Sequence, residues 1–343
     1  MTAIPTTKNL IVIFFFSLVF VACKKEPEKP LKPNEQIADT NRWATVWQNE
    51  SYTLTGISFP NKDTGYVSAF KDSTTNQIIL TTYNGGKTWL FINCNLGLDT
   101  AYIPNIKAAG ENCLYFLNNG NIYKSFNGGA DWNILFNGNS GNNNSINDYI
   151  VFDNSNLILS SWGGVYITYD GGITWQNISI AKYNLYYPYF ISKNIGYIYA
   201  YASGVNNNIY SYVYKTIDGG NTWRYFSKCV TTWPIQMQFF NDKIGFISNF
   251  IGINKTSDEG NSWQQIYKTN NYSVLSINFL NPDTGYYYDY YKIYFTTDGT
   301  KTWKTDFTNT GQPVYVRIVD WSFVKTGEAY AITSDGRIIK KMY

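Results

Sequence analysis

Two groups of side chains in this sequence have types and spacing that could do chemistry. Asp170, Asp218, Asp258 and Asp298 recur at intervals of 48, 40 and 40 residues, and paired carboxylates are the acid and base of most glycoside hydrolysis. Tyrosine is concentrated in YNLYYPY from Tyr183 and in YYYDYY from Tyr286. These rings offer a flat apolar face and a polar tip at small entropic cost, which suits contact with carbohydrate or protein. Within the clusters Tyr187, Tyr189, Tyr288 and Asp289 are binding candidates, and Arg317, Asp320 and Trp321 form a second set near the carboxyl end. Strands favour tyrosine for packing alone, so with 31 Tyr in 343 residues the competing reading is that most of these rings are structural.

Composition narrows the chemistry sharply. The chain has no His, which removes Ser-His-Asp and Cys-His catalysis, His-based zinc sites and the usual general base near neutral pH. A net charge of +3 over 343 residues, with Arg only at 42, 224, 317 and 337, does not make the basic stripe of a nucleic-acid surface. Cys94, Cys113 and Cys229 allow at most one disulfide and lack the paired spacing of a structural zinc site, so no metal and no cofactor is expected.

The regular aspartates belong to a repeat. Six octapeptides share one pattern: Thr82, Asn84 and Trp89; Ser125, Asn127 and Trp132; Thr168, Asp170 and Trp175; Thr216, Asp218 and Trp223; Thr256, Asp258 and Trp263; Thr296, Asp298 and Trp303. The tryptophans are spaced by 43, 43, 48, 40 and 40 residues, with Trp47 lying 42 before the first and Tyr343 lying 40 after the last. Each octapeptide resembles the Asp-box, or BNR repeat, a hairpin turn in which hydroxyl and carboxylate accept amide hydrogen bonds, glycines take left-handed angles and Trp packs beneath. In families carrying the box it lies on the periphery, so these aspartates read as structural rather than catalytic. Glu259 replaces the first glycine of the fifth box and Thr300 the second of the sixth, which predicts slightly altered turns there.

Upstream of each box, an alternating segment ending in an aromatic precedes a Gly-Tyr or Gly-Phe strand, as in ISFPNKDTGY from Ile57 and INFLNPDTGY from Ile277. Period-two alternation between turn signals predicts four strands per unit. The last unit supplies three strands, and RWATVWQ from Arg42 supplies the missing fourth. The predicted fold is therefore all-β: a seven-bladed β-propeller of four-stranded antiparallel blades, closed by a 3+1 seam between the chain ends. Asn-rich stretches at 138–144 and 206–208 read as solvated loops.

Residues 1–22 read as a signal peptide, because the apolar core at 10–21 is shorter than the roughly 20 residues a membrane span needs. The sequence FVAC ending at Cys23 resembles the bacterial lipoprotein box, in which that cysteine is acylated. Residues 23–40 then form the lipidated cysteine and a Pro-rich charged tether, and 41–343 the propeller. Lys24 follows the cysteine where an Asp favours inner-membrane retention, which implies outer-membrane residence, periplasmic or surface-exposed.

A lipoprotein signal followed by GY strands and TxDGGxTW hairpins resembles the photosystem II stability/assembly-factor-like propeller family over residues 41–343. The resemblance implies the propeller fold and, for photosynthetic members, a role in assembling membrane complexes. Sialidases also use box propellers, yet they need three convergent arginines, and only Arg317 is expected on an inner strand. The leading expectation is a non-catalytic, lipid-anchored, monomeric envelope platform binding a protein or glycan. The alternative is a glycoside hydrolase with carboxylates in the central channel.

Overall fold

A computed structural model describes residues 42–71, 77–94, 103, 105–138, 145–203, 209–229, 234–269, 273–308, 316–324 and 327–342. Cys23, the leader, the tether, the Asn-rich stretches at 139–144 and 206–208, and Tyr343 lie outside the described residues. Every described strand pairing is antiparallel.

In chain order, β1 (Trp43–Gln48) is followed by a sheet of β2 (Tyr52–Ser58), β3 (Gly65–Lys71), β4 (Gln77–Thr82) and β5 (Leu90–Asn93). A second sheet contains β6 (Lys107–Ala108), β7 (Leu114–Asn118), β8 (Asn121–Ser125) and β9 (Asn133–Phe136). Next come β10 (Ile146–Val151), β11 (Leu157–Thr168), β12 (Gln176–Phe190), β13 (Gly196–Ser203), β14 (Ile209–Thr216) and β15 (Arg224–Cys229), all in one sheet. Two further four-stranded sheets are β16 (Pro234–Phe239), β17 (Gly245–Asn249), β18 (Gly252–Thr256), β19 (Gln264–Lys268), and β20 (Ser276–Phe279), β21 (Gly285–Tyr288), β22 (Lys292–Thr296), β23 (Lys304–Thr308). The last sheet has the order β1-β26-β25-β24, with β24 (Ile318–Phe323), β25 (Ala329–Thr333) and β26 (Arg337–Lys341).

This corrects the expectation of seven four-stranded blades. Five four-stranded blades are found, and the third and fourth repeats share one six-stranded sheet. The physical reason lies in two continuous strands. The first half of β11 pairs with β10 and its second half with the first half of β12, whose second half pairs with β13. Residues 176–190 run from one repeat into the next without the Gly- and Asn-rich interruption found at 137–145. Within β11 the register shifts only between Trp162 and Gly164, where a Cβ on Gly164 would stand 2.3 Å from the Ile178 carbonyl oxygen.

The repeat pattern explains the packing between sheets. A Cβ on Gly65, Gly196, Gly245 or Gly285 would stand 2.3, 2.5, 2.7 or 2.3 Å from the ring of Phe59, Phe190, Phe239 or Phe279. Glycine thus leaves the slot in which that ring lies, and the box tryptophan meets it edge-on, with centroids 6.1, 5.9, 5.8 and 6.2 Å apart. The aromatic following that slot in the preceding repeat covers the other face: Tyr197 after Gly196 on Phe239, Phe246 after Gly245 on Phe279 and, across the closure, Tyr330 after Ala329 on Phe59, at 3.7, 3.6 and 3.6 Å. Core clusters consequently span neighbouring sheets, and all of them lie within residues 42–342. Among the described residues, this region closes its own core and ring.

The boxes are built as the motif implies. The hydroxyl oxygen of Thr82, Ser125, Thr168, Thr216 and Thr256 accepts from the amide four residues on, at 2.8–2.9 Å. The Asn or Asp two residues after that hydroxyl accepts from the amide two before the following strand. Glu259 takes the left-handed angle of the glycine it replaces, at φ 69°, and its box keeps normal bonds while its carboxylate pairs with Lys215. Thr300 does the same at φ 76°, but its amide bond to Thr296 stretches to 3.2 Å, so only the sixth turn is altered.

The closure has its own chemistry. Asp306 on β23 is fully buried and accepts from the Arg42 guanidinium at 2.6 Å, the Trp43 indole at 2.9 Å and the Lys341 ammonium. Both chain ends are thereby fastened to the neighbouring sheet. Cys94 and Cys113 are free thiols, and burial pushes the Cys94 thiol up to about 12.

Candidate functional site

At the centre of the ring lies a cavity of ≈ 650 Å³ to which every sheet contributes. Five sheets present the strand at one end of their order: β2 through Ile57 and Ser58, β6 through Lys107, β16 through Gln236, β20 through Ser276 and β24 through Asp320 and Trp321. The six-stranded sheet contributes twice, through Asp148 and Tyr149 of β10 and through Tyr186 and Tyr187 of β12. Four of the wall strands carry a register shift at the same level, just before Gly56, Asp148, Gln236 and Asp320. Such bulges re-aim a side chain, and three of these four residues line the cavity.

Of the residues singled out by sequence, Tyr187, Tyr288, Asp320 and Trp321 come together on this wall. Tyr187 adopts φ 54°, a left-handed angle unusual for a bulky residue. Burial, then Asp148 and Tyr186, push its hydroxyl up to about 12. Tyr288 meets Trp321 edge-on at 4.7 Å, and its hydroxyl is also pushed up, by burial and then by Asp320. The Trp321 indole donates to Ser276 Oγ at 2.9 Å.

The remaining candidates sit elsewhere. Tyr189 packs against Tyr197 and Phe239 and their neighbours rather than on the cavity wall. Asp289 is buried in a turn, where its Oδ1 accepts from the amides of Tyr291 and Lys292 at 2.7 and 2.8 Å and its Oδ2 from the Tyr294 hydroxyl at 3.1 Å. It is a turn residue. Arg317 precedes β24 instead of lying on it, and its guanidinium sits 5.8 Å from the Tyr290 ring centroid, away from the wall. No arginine lines the cavity among the described residues, and a sialidase-like arginine cluster has no counterpart there.

Asp320 also has structural work. Its Oδ2 accepts from the Ile57 amide of the adjacent sheet at 3.1 Å and its Oδ1 from the Trp321 amide at 2.8 Å. Similar ties recur around the ring. Ser58 Oγ accepts from Ala108 N at 2.9 Å, Gln236 Oε1 from Ile277 N at 2.7 Å and Gln238 Oε1 from Phe279 N at 2.7 Å. Burial raises the Asp320 carboxyl to about 6, against the opposing pull of those amides and of Lys107.

Sequence reasoning missed Lys107, Asp148 and Gln236. Lys107 Nζ lies 3.4 Å from Asp148 Oδ1, donates to the Tyr149 carbonyl and sits 4.1 Å from the Tyr149 ring centroid. Their usable signal was position: Asp148 and Gln236 occupy the slot of Asp320 in their own repeats, counted from the bulge. The wall is thus an aromatic rim with one cation and two engaged carboxylates. It can hold flat or extended ligands by ring faces and hydroxyl tips.

Comparison with known proteins places this geometry. Residues 38–182 match the family described as photosynthesis system II assembly factor YCF48. The match spans the first three boxes and covers less than half of the chain. A solved YCF48 bound to a D1 peptide shares 17% identity with it, at a TM-score of 0.66 over 89% of this chain and 98% of that one. YCF48 from Cyanidioschyzon merolae gives 17%, 0.63, 88% and 98%. The GH74 xyloglucanase of Xanthomonas campestris is more distant, with 10% identity and a TM-score of 0.52 over 82% of this chain and 55% of its own. At these identities the likeness to solved structures is one of fold. No curated protein matches the sequence.

Proposed function

We propose that this chain is a non-catalytic assembly platform, anchored to the cell envelope through a lipid on Cys23, that binds a polypeptide segment at the central cavity. The observation that carries the reading is the wall itself: Tyr187, Tyr288 and Trp321 surround a ≈ 650 Å³ space whose carboxylates are tied to backbone amides or to Lys107. Aromatic side chains supply large contact area at little entropic cost. A protein partner is favoured over a glycan because a YCF48 of the same fold has been solved with a peptide bound. The expected location is the outer membrane, and the client's identity is what the experiment seeks.

The test is a pull-down from detergent-solubilised envelope with residues 24–343 and with Tyr187→Asn, since asparagine accepts the left-handed backbone while removing the ring. One partner captured by the parent chain and lost by a variant with unchanged melting would support the platform. Equal capture by both would remove the cavity from the reading. A second reading has one specific observation behind it: Asp320, whose carboxyl burial raises to about 6, shares the cavity with Asp148, and glycoside hydrolysis uses two carboxyl groups. Turnover of a glycan panel, abolished by Asp148→Asn, would establish that hydrolase instead.

A further inference from the structure

The antiparallel order gives the ring two distinguishable faces. First strands end and second strands begin at the face that also carries the boxes, while the turns between second and third strands occupy the opposite one. Among the described residues, fifteen large apolar side chains are substantially exposed. Eight of them lie on the box face, three (Trp162, Phe250, Ile251) on the opposite face, and four on the outer strands β5, β9 and β15. Clustered exposed apolar groups mark an interaction surface.

The box-face residues stand at the tips of successive turns, where Lys124 Nζ lies 4.5 Å from the Phe126 ring centroid and Asn221 Nδ2 donates to the Tyr169 hydroxyl at 3.2 Å beside a cavity of ≈ 390 Å³. Tyr83, Phe126, Tyr169 and Ile217 all occupy the second position of their boxes and are 49%, 66%, 54% and 66% exposed. Ile173, on the third box, is 84% exposed. In the fifth and sixth boxes the same position holds Ser257 and Thr297, so the turn itself does not require an apolar residue there. The first two boxes also use neutral Asn84 and Asn127 where the others have Asp, which lowers the negative charge on that arc.

The chain enters the ring at this face. β1 pairs with β26 so that Trp43 lies opposite Lys341, and Met342 N donates to the Arg42 carbonyl. β26 occupies the place of a third strand, so its end and Arg42 are at box level, and Met342 there is 53% exposed. Eighteen residues separate Cys23 from Arg42 in the sequence, so a lipid on that cysteine would be joined to the ring through this point.

We propose that the box face rests on a lipid bilayer, with Tyr83, Phe126, Tyr169, Ile173 and Ile217 entering the interfacial region. Protruding rings and aliphatic tips fit a bilayer interface, which accepts aromatic side chains at headgroup depth and needs no complementary groove. The proposal deepens the anchored-platform reading by fixing which face meets the membrane, and it stands on the ring's own residues together with the point where the chain enters.

The test uses unlipidated residues 24–343 in co-flotation with vesicles of phosphatidylethanolamine and phosphatidylglycerol. Three proteins are compared: the parent, a box-face variant (Tyr83→Ser, Phe126→Ser, Tyr169→Ser, Ile217→Ser), and an opposite-face variant (Phe250→Ser, Ile251→Ser). Serine is native at this position in the fifth box, so the turns should survive, and thermal melting checks that they do. The expected result is vesicle binding by the parent and the opposite-face variant, weakened on the order of tenfold in the box-face variant. Absence of parental binding, or equal binding by all three, would overturn the proposal. So would concentration-dependent self-association of the parent, lost in the box-face variant without any vesicle binding, which would assign the face to a second copy. Acylation of Cys23 is read separately, from the mass of the amino-terminal peptide of envelope-derived protein, so failure of the anchor and failure of the docking face remain distinguishable.

Discussion

In a box-bearing sheet such as β2–β5, the fourth strand is delivered by an eight-residue turn directly after the third, and the side-chain bonds that shape that turn are local, Thr82 to Asn84, Gly86 to Thr82 and Thr88 to Asn84, while Gly85 ties it to Asp63, Tyr330 and Lys340. In the closing sheet the fourth strand is β1, which comes from the other end of the chain. No box connects it. Its place is held instead by Asp306, which gathers Arg42, Trp43 and Lys341 from positions more than 30 residues away or at the opposite terminus. A local turn can be made of exposed polar groups because it loses little entropy on forming. A non-local closure must offset a long loop, and here it does so with a buried charge cluster that tolerates no missing member.

That contrast is broken most severely at the closure. Asp306→Asn leaves Lys341 buried beside Arg42 without its carboxylate, and the loss should reach about 3–5 kcal/mol in urea unfolding. If the variant instead unfolds like the parent, the ion cluster is not what holds the ends. Trp132→Ala removes a nearly buried ring that packs on Phe116 at 4.7 Å and donates to Gly129 O, and should cost about 3–4 kcal/mol by the same measurement. Thr216→Ala takes away the hydroxyl that receives Gly220 N and donates to Asp218, together with one buried methyl, a loss of about 1–2 kcal/mol. A ranking with the box hydroxyl above the closure aspartate would reverse the contrast.

The smallest effects are those of pH. Hydrogen bonds from Thr174, Ser262 and Thr302 hold Asp170, Asp258 and Asp298 down at about 2. A depressed folded pKa gives stability that is present above the unfolded value of 3.8 and lost as pH falls toward 2. Asp170→Asn, which copies the first two boxes, should therefore flatten the acid limb of a melting-temperature profile by lowering its neutral plateau slightly and leaving the acid end unchanged. Asp320 runs the other way. Its folded value of about 6 makes its contribution complete below 3.8 and lost as pH rises through 6. Asp320→Asn should remove that slope between pH 4 and 6, and a profile identical to the parent's would place the carboxyl outside the buried tie.

The boxes, the Gly-Tyr slots and the 3+1 closure were legible in the sequence because each is written in neighbouring residues or in the absence of one expected strand. The number of separate sheets was not. Residues 157–168 and 176–190 repeat the strand signals of other units, yet whether two strands remain distinct depends on what lies between them, and at residues 162–164 and 180–183 only a register shift separates the two halves. Among the site residues, Tyr187, Tyr288, Asp320 and Trp321 could be found from their aromatic and charged composition. Asp289 and Arg317 had the same composition but a turn and a pre-strand position withdrew them from the cavity.

The sequence by itself determined the all-β repeat, the turn chemistry and the absence of histidine-based catalysis, since these depend on residue type and short spacing. Only the tertiary structure decided which side chains face the axis, because a one-residue bulge in each of four wall strands reverses the alternation that spacing alone would assign. It also decided that Asp306, unremarkable in its own strand, closes the ring. Its partners are brought within bonding distance only when the two ends of the chain meet.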